Sequence, residues 1–317
     1  MASNRQREQA PPAMNQEVHS NVGTVFQTAR PAFLPLSVFV VAAGAATARL
    51  SGTPIDWLML AVVLVTAVTA HIAVNVINEY QDFTSGLDLL TERTPFSGGS
   101  GALPANPDAS AAVATFSWIS LGVLVVAGLW IVAKQGITLL PIGIVGVLII
   151  VSYTRVLNLH PLACLLAPGI GFGPLMLWGT HLALGAPATP AMVLAGLMVL
   201  CSTSNLLLLN QLPDIEPDRQ VGRRHLAIVH GKAAIPRACL LLLVALSAML
   251  LLGLVSGAFP PLTLLVLTAV AAGFFAWRGL GRDAELGKAL TANVLCALGI
   301  PLLLAVGIFL SLPIFRD

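Results

Sequence analysis

Apolar residues run in long blocks along this chain, and short polar segments punctuate them. A helix that crosses a bilayer needs about 20 mostly apolar residues, because backbone groups in lipid must bond within their own segment. Nine blocks meet that description, near 31–50, 56–79, 109–133, 137–154, 162–183, 190–211, 235–256, 261–279 and 287–312. Residues 238–277 carry no charge, too long a run for one crossing, and Ser256-Gly257-Ala258-Phe259-Pro260-Pro261 divides it with a tight turn. Leu184-Gly185-Ala186-Pro187-Ala188-Thr189-Pro190 does the same upstream. The pattern predicts an all-α fold: a polytopic membrane protein with nine transmembrane helices.

Composition agrees with this pattern. Of 317 residues 57% are hydrophobic and only 9% charged, against roughly 25% charged in soluble domains. The placement of the charges orients the bundle through the excess of Lys and Arg on cytoplasmic loops. With nine crossings and the N-terminus inside, thirteen Lys and Arg fall on inside loops, and only Arg49, Lys134 and Arg316 fall outside. The expected protein is therefore integral to a bacterial-type inner or plasma membrane. Its N-terminus and polar loops are cytoplasmic and its C-terminus lies on the far side. Residues 1–29 read as a cytoplasmic tail, polar to about Ser20 and without the apolar core of a signal peptide. Residues 30–317 read as the membrane domain. No dense basic stripe suggests nucleic-acid binding. Four cysteines, Cys164, Cys201, Cys239 and Cys296, sit in or beside apolar runs without a C-x-x-C pair and read as small buried hydrophobes.

Two polar loops stand out, after the second and sixth blocks. The second block ends Asn75-Val76-Ile77-Asn78-Glu79-Tyr80-Gln81-Asp82, with Gly86 and Asp88 beyond; the sixth ends Asn210-Gln211-Leu212-Pro213-Asp214-Ile215-Glu216-Pro217-Asp218. Four crossings separate them, the spacing of two four-helix repeats with a ninth helix added. Residues four apart share a helix face, so Asn78 and Asp82 aim together, as do Asp214 and Asp218 if helix persists through Pro213 and Pro217. The face of Asn78 continues through Asn75 to His71, and such a polar stripe belongs in a bundle interior or cavity. Carboxylates with amide oxygens beside them suit Mg²⁺ bridged to substrate phosphates.

Basic residues accompany the acids. Arg93 follows the first cluster, Arg219, Arg223, Arg224 and Lys232 follow the second, and Arg155 lies between the fourth and fifth blocks. Acids and bases on one face point to a metal–diphosphate site. Ser97-Gly98-Gly99-Ser100-Gly101 is a flexible segment whose backbone N–H groups could approach an anion. His160, His181, His225 and His230 show no metal-ligand spacing and read as loop or interfacial residues.

These residues resemble the UbiA superfamily of intramembrane prenyltransferases over nearly the whole chain. Arg30-Pro31 with Leu34-Pro35 and Ser37 is similar to that family's opening helix, Asn78 to Asp88 to its first Asp-rich motif, and Asp214 to Asp218 to its second. Gly222-Arg223-Arg224-His225-Leu226-Ala227 is similar to the stretch after the second motif, and Tyr153-Thr154 with Pro161 to the residues after the fourth helix. Within the superfamily the 1,4-dihydroxy-2-naphthoate branch of menaquinone biosynthesis is the most similar, on Gly86-x-Asp88, on Arg93 before Gly-Gly-Ser-Gly, and on Asn210-Gln211. Glu79 stands where an Asp is common, and Ala163-Cys164 where that branch often has Gly and an acid.

The resemblance implies a Mg²⁺-dependent transfer of a polyprenyl group from its diphosphate to an aromatic acceptor in the bilayer. It implies that Asn78, Asp82, Asp88, Asp214 and Asp218 hold the metal, with Asp82, Asp214 and Tyr153 central to catalysis. Arg93, Arg155, Arg223 and Lys232 would bind the diphosphate; Asn75, Asn210 and His71 would contact substrate. Acceptors such as 4-hydroxybenzoate, homogentisate, a chlorophyll precursor or a glycerol-based lipid are the alternatives within the superfamily. A membrane transporter is the alternative of another class, but it predicts acids near the midplane rather than at helix ends beside basic partners.

Overall fold

The computed structural model describes residues 20–91, 93 and 98–312, without the side chain of Asp283. Most of the tail expected at 1–29, together with Ser97 and Arg316, lies outside the described residues. Helices account for nearly everything else: α1 Asn21–Thr28, α2 Pro35–Leu50, α3 Trp57–Thr84, the short α4 Leu87–Leu90 and α5 Ala102–Ala105, α6 Ser110–Gln135, α7 Leu140–Ser152, α8 Pro161–Ala183, α9 Pro190–Asn210, the short α10 Ile215–Gln220 and α11 Leu226–His230, α12 Ala234–Val255, α13 Val266–Gly279 and α14 Leu286–Ser311.

Every predicted block falls on helix, yet the crossings are less uniform than nine equal spans. Among the described residues seven helices are long and apolar enough to cross a membrane. Those seven are α3, α6, α8, α9, α12, α13 with its leading 3₁₀ turn, and α14. The first block is instead a bent pair, α1 with its following turn and α2, meeting at 48°. Pro31 and Pro35 explain the bend, since a proline ring removes an N–H and clashes with the preceding turn. The fourth block, Ile137–Ser152, is apolar but shorter than these helices. Residues 21–28, read from sequence as part of a tail, form α1, whose Thr24 and Thr28 are buried and whose Thr24 hydroxyl accepts from Asn106 Nδ2 at 3.0 Å.

The centre of the bundle is α9, with 67% of its most apolar window buried and α2, α8, α12 and α14 packed around it. Small residues allow the approach of α8 to α9. A methyl group at Gly173 would lie 2.2 Å from the Gly196 carbonyl oxygen, and one at Gly169 2.6 Å from that of Leu200. Close small-residue packing of this kind is how membrane helices associate when lipid supplies no hydrophobic drive. The outer faces stay apolar: Trp118, Ile119 and Val126 of α6 and Leu241, Leu251 and Leu252 of α12 are exposed large hydrophobes. A solvent of lipid explains a surface that water would penalise. All four cysteines are free and buried, as their apolar settings predicted.

Candidate active site

A cavity of about 680 Å³ opens among α3, α6, α7, α8 and α9, and both acid segments line it. One face of α3 runs its length. Val63, Ala67, Ala70 and Val74 form the apolar part, and His71, Asn75, Asn78 and Asp82 the polar part. The three-and-four-residue spacing places them on a single helix face, and the helical rise makes that face about 28 Å long from Val63 to Asp82. The polar end forms the mouth, which also carries Arg30, Asp88, Asp214, Asp218 and Arg223. Helix α3 extends to Thr84, five residues past the predicted end of its block, and this extension sets Asp82 on the same face as Asn78.

The second segment is built differently. Helix α9 stops at Asn210 and α10 begins at Ile215, with Asp214 at the position before its first turn. The Asp218 amide still donates to the Asp214 carbonyl at 2.9 Å, so one turn keeps both carboxylates on the cavity although Pro213 ends the long helix. The Asp214 Oδ2 accepts from the Gly98 amide at 3.3 Å, which ties the loop after α4 to this segment.

Arg223 joins the two segments. Its Nη2 pairs with Asp82 Oδ1, and its Nη1 donates to Asp218 Oδ1 at 3.0 Å. A planar guanidinium can hold one carboxylate on each nitrogen, which a lysine point charge cannot. Asp218 is also 3.3 Å from His225 Nε2, and His225 is only 1% exposed. His225 stands in the loop just before α11, as its sequence setting suggested, and is buried there beneath Asp218. The reading of His181 as a loop or interfacial residue is corrected: it lies within α8, fully buried between Thr47 Oγ1 at 3.0 Å and the Pro187 carbonyl at 2.8 Å.

Around the mouth, Asn78 Nδ2 donates to Thr154 Oγ1 at 3.0 Å and its Oδ1 accepts from Arg30 Nη2 at 3.4 Å. Asn75 Nδ2 donates to the Ala29 carbonyl at 3.1 Å. His71 Nδ1 and Ser37 Oγ are 2.9 Å apart, and the His71 ring meets Phe172 edge-on at 4.9 Å. Tyr153 also lines the cavity. Cys164, the departure noted in sequence, donates to Asn158 Oδ1 at 3.2 Å and accepts from Gln211 Nε2 at 3.1 Å. Asn158 and Gln211 both line the cavity.

Not every expected residue arrives. Arg155 and Lys232 are exposed and lie off the cavity wall, and the Arg93 guanidinium packs over Gly101 instead. Arg30 and Gln211 line the cavity in their place. Arg30 is the one non-glycine with positive φ among the described residues, at 51°. A backbone held in that sparsely populated region is a signal of local function, but φ is invisible in sequence. The Arg30-Pro31 pair was the only available hint.

The donor chemistry fits a hard cation. Asp88 Oδ2 and Asn210 Oδ1 are buried without a hydrogen-bond partner, and both residues line the cavity. All the candidate donors are oxygens, the ligands Mg²⁺ selects. Among the described residues no three His, Cys, Asp or Glu side chains form a ready metal cage.

Asp88 itself yields an expected pH effect. Burial first, then the charges of Glu79 and Asp82, push its carboxyl from 3.8 to about 7. The folded chain therefore keeps a proton that the unfolded chain releases, and stability falls as pH rises from about 4 to about 7, then levels off. Melting in detergent with chelator should show this decline for the native chain, and Asp88→Asn should flatten it. An unchanged profile in the variant would assign the slope elsewhere.

The UbiA prenyltransferase family matches residues 37–295, and the chain belongs to that family. It is similar to the 1,4-dihydroxy-2-naphthoate octaprenyltransferase of Bacillus subtilis (strain 168), 27% identical over 213 residues, a match spanning 65% of this chain and just under two thirds (66%) of that relative. In fold it resembles a UbiA homologue from Aeropyrum pernix K1, with TM-score 0.69 at 16% identity, covering 87% of this chain and 97% of that one. It also resembles a UbiA homologue from Archaeoglobus fulgidus bound to DMAPP and Mg²⁺, with TM-score 0.61 at 10% identity, covering 87% and 98%.

Proposed function

We propose that this chain transfers a polyprenyl group from its diphosphate to an aromatic acceptor, 1,4-dihydroxy-2-naphthoate. The observation that carries the reading is one cavity with two chemically opposite ends, an acid and arginine mouth on a long apolar slot. A charged diphosphate and its hydrocarbon tail need those two environments together. The acceptor is taken from the similarity to the Bacillus subtilis relative and from the Gly86-x-Asp88 and Asn210-Gln211 features.

Asn78, Asp82, Asp88, Asp214 and Asp218 would hold Mg²⁺, which when bound supplies Lewis-acid stabilisation of the leaving diphosphate. Arg223 and Arg30 bring positive charge to the same mouth. Tyr153, on the cavity wall, screens the allylic carbon as the bond to diphosphate oxygen breaks. The apolar slot excludes water that would trap the electron-poor carbon before the aromatic ring attacks. Asn75, Asn210 and His71 offer hydrogen bonds to the acceptor. We also place nine crossings in the bilayer, with α1–α2 and α7 completing the seven long helices. The mouth then faces the side that holds thirteen of the sixteen Lys and Arg residues.

The test is product mass spectrometry on membranes containing the chain, Mg²⁺, prenyl diphosphates of several lengths and several acceptors. A prenylated naphthoate supports the reading. Another prenylated acceptor overturns the acceptor alone, and no prenylated product overturns the whole. The slot makes a further prediction. Gly128 of α6 and Gly143 of α7 line it, and a methyl group at either meets nothing within 4 Å. Gly143→Phe should fill that space and shift products to shorter chains while the mouth keeps its affinity. An unaltered chain-length distribution would place the tail elsewhere.

A further inference from the structure

Glu79 differs from its neighbours on α3. Asn75, Asn78 and Asp82 line the cavity, whereas Glu79 does not, and it is 0% exposed. Its carboxylate is already engaged. Oε1 takes Arg30 Nε at 2.6 Å and Nη2 at 2.5 Å, together with the Ser100 amide at 2.7 Å; Oε2 takes the Ser100 hydroxyl at 2.7 Å. The Ser100 oxygen in turn accepts from the Ala102 amide at 3.1 Å, in the first turn of α5.

The segment so gripped crosses the mouth. Gly98 reaches Asp214, and Gly98 and Gly99 line the cavity. Gly99 has φ +69°, and a methyl group there would lie 3.2 Å from Glu79 Oε1 and 3.4 Å from Asp88 Oδ1. Gly101 has φ +65°, with the Arg93 guanidinium 2.4 Å from where its methyl would be. Both positions need glycine for their backbone conformation. On the other side, Arg30 takes the same Glu79 oxygen and reaches Asn78.

We propose that Glu79 is a positioning residue, not a metal ligand: it clasps Ser100 and Arg30 so that the Gly98–Gly101 backbone and the Arg30 guanidinium form the wall that meets the prenyl diphosphate. The clasp is a property of the free chain. Its effect on diphosphate binding rests on the function proposed above.

The experiment uses the full chain in nanodiscs. Glu79→Asp keeps the charge that Arg30 requires but withdraws the carboxylate from Ser100, and Ser100→Ala removes the hydroxyl alone. Loss of one such hydrogen bond is worth about tenfold. Without substrate or metal, amide hydrogen exchange across residues 98–106 should rise about tenfold or more in both variants and stay as in the native chain in Asp82→Asn. Unchanged exchange in both clasp variants overturns the proposal. In turnover, Glu79→Asp should raise KM for prenyl diphosphate about tenfold with kcat within about threefold, and leave the Mg²⁺ half-saturation in place. A rise in Mg²⁺ requirement matching that of Asp82→Asn would make Glu79 a ligand and also overturn it. Absence of turnover in the native chain would count against the transferase reading alone, because the exchange result needs no catalysis.

Discussion

Asp82→Asn is expected to slow prenyl transfer by about 10²- to 10³-fold, the usual cost of deleting one group that stabilises charge as it develops. Asp82 stands where three features coincide. It ends the polar stripe of α3, it faces the cavity mouth, and it is bridged through Arg223 to the second acid segment. The amide keeps the shape and can still accept a hydrogen bond from Arg223, while Asp218 retains its own contact at 3.0 Å. The bundle should therefore melt within a few degrees of the native chain, so that lost rate reports chemistry and not unfolding. Asp214→Asn should behave alike, because its amide oxygen can still take the Gly98 amide. Rates in membranes at saturating Mg²⁺, with melting measured in parallel, decide the matter. A variant of either residue that retains native turnover would remove the paired clusters from the mechanism.

Much of this site could be read from the chain because it depends on helix periodicity. His71, Asn75, Asn78 and Asp82 are spaced for one face whatever surrounds them, and that face is the one turned to the cavity. The pairing of the two Asp segments was also legible, since Asn210 does close α9 and Asp218 does face Asp82 through Arg223. What escaped depends on contacts distant in sequence or on backbone geometry. Glu79 and Ser100 are separated by 21 residues, and Arg30 and Glu79 by 49. Nothing local announces that Glu79 turns aside while Asn78 beside it enters the cavity. His225 is the loop histidine it looked like, but its burial is imposed by Asp218 and the packing of α11, neither visible in composition. The uneven length and straightness of the nine blocks escaped for a related reason. Hydropathy records apolar content, but Pro31 and Pro35 decide that the first block is bent, and Gly136 together with the turn after Ser152 leaves the fourth block short.

Arg223→Met should be the most destabilising single change at the mouth. Asp82 and Asp218 are 6% and 2% exposed, and the variant leaves both without the guanidinium that pairs them. Removing one partner of a buried ion pair costs about 3–5 kcal/mol, because the remaining charge has neither water nor a counter-ion. Arg223→Lys should recover part of this loss, since a single ammonium lacks the fork that spans two carboxylates. The decisive comparison is the triple variant Asp82→Asn/Asp218→Asn/Arg223→Met. If the cost comes from unpaired charge, removing all three charges should restore most of the stability, as replacing a whole buried ionic cluster often does. Activity should not return with it, because the carboxylates needed at the mouth are gone. Unfolding midpoints in detergent, measured alongside transfer rates, separate the two contributions. A triple variant as unstable as Arg223→Met would mean that Arg223 supports the mouth by packing, and that the acid segments are held together by the loops themselves.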